Sequence, residues 1–164
     1  MSYEIHPETP VGGVGLESLF GPGYKERQQG IADRCRELDL PFQPAEVLSN
    51  SRLAVEAAEF ARDAGAFGAF HRACLTAYFG SGLDIGDMAV LRELAGQVQL
   101  DATALEEALT TGRYSRRRTA AEEEARRLRI TAVPTFIFDE SARVVGAYPL
   151  DHFRRLLQAA GPSR

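Results

Sequence analysis

The chain is poor in cysteine: Cys35 and Cys74 are its only two in 164 residues. So distant a pair builds no disulfide framework, and no Cys-x-x-Cys occurs anywhere. A basic excess is also lacking. The net charge of −4 argues against nucleic acid and against an anionic membrane surface as partners. No apolar run approaches the ~18 residues that a bilayer-spanning helix needs, so no membrane partner is expected. The opening residues 1–7 carry neither the basic nor the apolar region of a secretory signal, which leads to the expectation of a cytoplasmic protein. His6, His71 and His152 have no carboxylate or cysteine at ligand spacing, so no metal site is expected, and no other cofactor is implied. There is no nucleophile-elbow word for serine hydrolysis, no repeat and no low-complexity segment.

What is present describes a globular domain. Hydrophobic residues make up 45% of the chain and charged residues 26%, enough to bury a core. The organising stretch is residues 130–146, Ile-Thr-Ala-Val-Pro-Thr-Phe-Ile-Phe-Asp-Glu-Ser-Ala-Arg-Val-Val-Gly. A charged helical segment ends just before it. Pro134 interrupts the chain, and residues 135–138 form a β-branched and aromatic run of strand type. Asp139, Glu140 and Ser141 make a turn, and residues 143–145 can return as an antiparallel partner. A last amphipathic helix begins near Asp151. A cis bond costs least at a proline in such a tight turn, and Pro134 is expected to be cis.

Toward the N-terminus, residues 2–6 alternate enough to predict a short strand. A loop with two prolines and three glycines follows. Its Gly13-Val14-Gly15 is a weak dinucleotide-binding word, because the third glycine of that fingerprint would fall at Ser18. A helix is predicted over 23–38, with Ile31, Cys35 and Leu38 on one stripe. From 50 to about 128 nearly everything reads as helix. Asn50 or Ser51 can cap a helix with Leu53, Ala57, Phe60, Ala61 and Ala64 inward. A second helix, 67–79, carries Phe67, Phe70, His71, Cys74 and Tyr78 at helical spacing, and His71 reads as a core histidine. Gly80-Ser81-Gly82 reads as a turn. Asp87 and Asp101 open two more helices, with Leu91, Ala95, Leu105 and Leu109 inward. Arg118, Glu122 and Arg126 then follow one turn apart, the pattern of a solvated helix face.

Several words in order carry a family resemblance: Glu4-Ile5-His6-Pro7-Glu8-Thr9, Ser49-Asn50-Ser51-Arg52-Leu53-Ala54, Ala77-Tyr78-Phe79, Leu83-Asp84-Ile85-Gly86-Asp87, Val133-Pro134-Thr135 and Gly146-Ala147-Tyr148-Pro149-Leu150. Together they resemble the DsbA family, and within it the FrnE-like branch. 2-Hydroxychromene-2-carboxylate isomerases and kappa-class glutathione transferases share that fold. The resemblance implies an α/β, thioredoxin-like (DsbA-type) fold, N-terminally truncated, in which residues 1–164 form a single domain with a helical insertion at about 50–112. It implies protein disulfide oxidoreductase chemistry, thiol–disulfide exchange, for the family. Such proteins open with a strand and a Cys-x-x-Cys helix before the strand that residues 2–6 match, and this chain shows neither. Exchange needs a thiol of lowered pKa and a second thiol to resolve the mixed disulfide. Cys35 and Cys74 lie mid-helix on apolar stripes, so no catalytic residue is assigned and the chain alone is expected to be inactive.

The resemblance also implies a ligand-facing loop at Ala132, Val133, Pro134 and Thr135, where Arg129 and Ala132 replace glycines usual in FrnE-like members. A peptide or a small thiol is the ligand class expected there. The alternatives are a non-catalytic binding or assembly module using that groove, and a binder of glutathione or a small aromatic ligand. Without the opening strand, residues 135–138 would keep an unpaired edge. Residues 2–6 could pair with it, a second copy could (a homodimer), or another polypeptide could.

Overall fold

The computed structural model describes residues 3–138 and 142–160, and the side chains of Ala142, Ala159 and Ala160 are not described. Two compact units divide the chain, Met1–Glu122 and Glu123–Arg164.

In the first unit a two-residue strand β1 (Val14–Gly15) runs antiparallel to β2 (Val47–Leu48). Gly13 makes that approach possible: it sits at φ +77°, and a Cβ there would lie 2.5 Å from the Val47 side chain and 2.6 Å from the Leu48 carbonyl. This glycine therefore serves backbone packing. Between the strands lie a short helix α1 (Leu16–Phe20) and α2 (Tyr24–Glu37). Leu16, Tyr24 and Ala45 are buried together, with Leu48 and Tyr78 against them. The Ile31–Cys35–Leu38 stripe of α2 does not face a core. Ile31 and Leu38 are about half exposed, and Cys35 is half-buried.

The main core belongs to the helices α3 (Arg52–Asp63), α4 (Phe67–Leu75), α5 (Met88–Gln97) and α6 (Ala102–Thr110). Ala57, Ala61, Phe70, Leu91, Ala95 and Leu105 are fully buried in it. Small residues on α3 allow close helix approach, and Phe70 fills the space they leave. Ala64 sits exposed at the end of α3, just beyond the inward stripe. The helix starts follow the sequence closely. Asp101 Oδ1 accepts from the amides of Thr103 and Ala104 at 2.9 and 3.0 Å, and Asp87 Oδ1 from Ala89 at 2.7 Å. At α3 the work falls to Asn50, whose Oδ1 accepts from the Arg52 amide at 3.1 Å. α4 runs into a π-helical turn over Thr76–Gly80. His71, expected in the core, is exposed and stacks on Phe67 with centroids 5.4 Å apart.

The strand expected over 2–6 is not formed: residues 3–6 are irregular, and Ser2 lies outside the described residues. The local reason is a turn, with the Thr9 amide and hydroxyl both donating to the His6 carbonyl at 3.1 and 2.9 Å. Pro7 lies inside that turn and restricts His6 before it. A further reason is Glu4, whose side chain is drawn in toward arginines of α3 and α7 (Ser115–Arg127).

The second unit holds the end of α7, the hairpin β3 (Thr135–Phe138) and β4 (Ala142–Val145), and α8 (Leu150–Ala160). The hairpin pairs Thr135 with Val145 and Phe138 with Ala142. The expected turn at Asp139, Glu140 and Ser141 lies outside the described residues. Phe153 of α8 packs on Phe136 and Phe138, at centroid distances of 4.7 and 6.5 Å. No helix of the described residues is long and apolar enough to cross a membrane.

Candidate functional site

The residues singled out at Ala132, Val133, Pro134 and Thr135 form one continuous loop between α7 and β3. Its entry is a Schellman end to α7: the Ile130 amide donates to the Ala125 carbonyl and the Arg129 amide to the Arg126 carbonyl, both at 2.9 Å. Arg129 consequently sits at φ +51°, in the left-handed region. Glycine is the residue that this position favours, which gives the departure at Arg129 a backbone meaning. Arg143 of β4 donates to the Leu128 carbonyl, and at 3.4 Å to the Arg129 carbonyl, so the hairpin holds the helix end in place.

The loop's exit is equally tied. The Thr135 hydroxyl donates to the Ala132 carbonyl at 2.7 Å, and the Gly146 amide donates to the Pro134 carbonyl at 2.8 Å. The Val133–Pro134 peptide bond is cis. Ala132 and Thr135 are half-buried, whereas Pro134 is exposed and Val133 is 54% exposed. The Val133 amide and carbonyl make no hydrogen bond among the described residues. β3 pairs with β4 and with no other described strand. The loop therefore offers one apolar side chain and the unpaired amide and carbonyl of one residue just ahead of a half-paired strand.

The two cysteines are free thiols in separate helices of the first unit. Cys74 is buried in the helical core, and desolvation there pushes its pKa up to about 11. That is the opposite of what a nucleophilic thiol needs. Of the histidines, His6 bonds Glu8 at 3.0 Å, His71 stacks on Phe67 and His152 stacks on Tyr148. Among the described residues no group of three His, Cys, Asp or Glu side chains could hold a metal ion.

One cluster escaped the sequence. Arg118 and Glu122 do pair one turn apart, but Arg118 is largely buried and also bonds Glu56 of α3 at 2.9 Å. Glu4 and Glu56 are buried as well. The signal was a charged helix face; that its partners lie 62 and 114 positions away could not be read from spacing.

Comparison with known proteins bears on the family and the fold. The chain is 32% identical over 106 residues to the uncharacterized protein YwbO of Bacillus subtilis, and the match takes in 64% of this chain. It spans about half of that relative's length, 52%. The crystal structure of a probable DsbA oxidoreductase from Streptomyces coelicolor superposes with a TM-score of 0.87 at 23% identity, covering 99% of this chain and 76% of that one. The likeness shows a thioredoxin-type fold with its helical insertion. Residues 1–158 match the DSBA-like thioredoxin domain, and the chain belongs to that family.

Proposed function

We propose that this chain carries the polypeptide-binding loop of a thiol–disulfide oxidoreductase-like protein, while its own two thiols take no part in exchange. The observation that carries the reading is Val133, exposed at 54% with an unpaired amide and carbonyl at the start of β3. An extended peptide that offers its own N–H and C=O there would add to the loop as a strand adds to a sheet edge. The flanking exposed side chains, Val133 and Ile137, favour a peptide with apolar residues beside its cysteine. Cys74 is buried and of raised pKa, and within these 164 residues no second cysteine follows either thiol at Cys-x-x-Cys spacing. The words around Asn50, Tyr78 and Asp84 support placement in the FrnE-like branch.

The test uses a fluorescent, extended cysteine-containing peptide and the same peptide N-methylated at its pairing residue. Anisotropy should show saturable binding that weakens at least ~10-fold on N-methylation, the loss of a desolvated backbone pair. Incubation with a disulfide reporter should show no turnover, in the parent chain and in Cys35→Ser and Cys74→Ser alike. Equal binding of the two peptides, or turnover abolished by either serine, would overturn the reading.

A second reading rests on the same edge. Ile137 and Val145 are 40% and 47% exposed on the hairpin, and a second copy pairing along β3 would cover them. Sedimentation at micromolar protein separates the two, since a homodimer shows there without any peptide.

A further inference from the structure

The face of the hairpin that α8 leaves open carries one cation among its apolar side chains. Phe136 and Phe138 pack on Phe153, so the alternate residues of β3, Thr135 and Ile137, lie on the opposite face. The register sets Val145 across from Thr135 and Arg143 across from Ile137, and residues paired across strands share a face. Ile137, Val145 and Arg143 are all exposed there. Arg143 is held in place. Its two terminal nitrogens donate to the carbonyls of Leu128 and Arg129, which puts its charge at the end of α7, where a helix leaves carbonyls unsatisfied.

The helix end accounts for Arg143, and it accounts for a cation at Arg126 in the last turn of α7. It does not account for Arg129. That residue lies past the helix end at φ +51°, exposed, and among the described residues its guanidinium makes no hydrogen bond, ion pair or ring contact. The Arg126 guanidinium is equally free among them. Glu124, the acid closest to both in sequence, is taken up by Arg127 through two bonds of 2.7 and 2.6 Å. Residues 123–164 hold seven arginines against five acids, in a chain whose net charge is −4. Positive charge is thus gathered in the unit that carries the loop. Cations without counter-ions at a binding surface favour a partner that brings the opposite charge.

We propose that Arg129 and Arg143, supported by Arg126, make the entry of the Ala132–Thr135 loop an acid-reading site: the polypeptide that pairs at Val133 carries glutamate or aspartate within a few residues of its apolar anchor. The inference rests on the strand-pairing reading given above and adds the charge of its substrate. The apolar anchor covers Ile137 and Val145, and the acid beside it meets Arg129. This guanidinium keeps all its donors free, so it can take a carboxylate through two parallel bonds. Arg143 has two nitrogens engaged by carbonyls and contributes its charge.

The experiment follows the anisotropy of one extended, apolar, cysteine-containing peptide with the full chain, its flanks made of glutamates, glutamines or lysines. At about 50 mM salt the glutamate peptide should bind ~10-fold tighter than the glutamine peptide, and the gap should narrow to ~3-fold or less at about 500 mM. Glycine suits the backbone at position 129, so Arg129→Gly removes the guanidinium without straining the loop, and the gap should shrink at least ~3-fold. Arg129→Glu should turn the preference toward the lysine peptide. Arg155→Gln, on α8, should keep the gap. If it closes the gap as far as Arg129→Gly does, the attraction belongs to the basic unit at large and the proposal is overturned. Equal binding of the glutamate and glutamine peptides at low salt overturns it too. N-methylating the glutamate peptide at its pairing residue separates this inference from the reading beneath it. Weaker binding on N-methylation, with no gap between glutamate and glutamine, keeps strand pairing and overturns the acid-reading site. A gap that persists with no loss on N-methylation keeps the site and overturns strand pairing.

Discussion

The two units solve the problem of burying apolar surface to different extents. In Met1–Glu122, four helices close around Phe70, Leu91 and Leu105, and each of these side chains is fully shielded. In Glu123–Arg164, only Ala125 and Val144 are buried among the described residues. Phe136, Ile137, Val145, Tyr148, Leu150 and Leu157 all remain at least 39% exposed. The difference is one of layers. A helix packed on three others hides its apolar stripe, whereas a two-stranded hairpin with one helix covers a single face. The first unit is thus a framework, and the second is a surface with apolar material left over. Such material marks interaction sites.

The largest expected effect tests that contrast directly. Phe70→Ala should cost about 3–5 kcal/mol in urea denaturation, since it empties a fully enclosed site. Phe136→Ala, which removes a ring already 39% exposed, should cost about 1–2 kcal/mol. Equal losses would mean that the hairpin is as enclosed as the helical core, and the contrast would break. A smaller effect sharpens the account of the framework. Asp101→Ala removes an acceptor of two amide bonds and should cost about 1 kcal/mol. Ser51→Ala should cost nearly nothing, because the Ser51 side chain makes no capping hydrogen bond to α3.

The same contrast separates what could be read in the sequence from what could not. Helices α3 to α6 were legible because their order rests on local rules: Asn50, Asp87 and Asp101 at the starts of α3, α5 and α6, apolar residues three and four apart, and Gly65 and Gly112 beyond the ends of α3 and α6. The hairpin and the loop at Pro134 were legible because the strand words and the proline are adjacent in the chain. The failures share one cause, which is dependence on distant partners. Residues 3–6 had the alternation of a strand, but the turn at Thr9 and the arginines of α3 and α7 took them. Ile31 and Leu38 kept helical spacing on α2 and yet face no core. Arg118 had the spacing of a solvated face and is instead wrapped by Glu56 and Glu122. Periodicity states which residues share a face, and it is silent on what that face meets.

The smallest expected effect asks whether local backbone rules act alike in both units. Helices α2, α3, α5, α6 and α7 all end with the same pair of bonds, of which the longer-range one reaches the third residue from the end. The residue between Ccap and that bond is Gly65 in α3 and Gly112 in α6, but Asp39, Gln99 and Arg129 in α2, α5 and α7. A side chain at such a left-handed position costs about 1–2 kcal/mol. Glycine gives back about 0.5–1 kcal/mol through its greater freedom in the unfolded chain. Gln99→Gly and Arg129→Gly should each therefore raise stability by about 0.5–1 kcal/mol in thermal or urea melts. Gains at both positions would show that the end of α7 obeys the rule of the helical framework and that the Arg129 side chain adds nothing to folding. A gain at Gln99 with a loss at Arg129 would instead show that this guanidinium supports the Ala132–Thr135 loop. The loop's geometry would then be set by a side chain that glycine cannot supply.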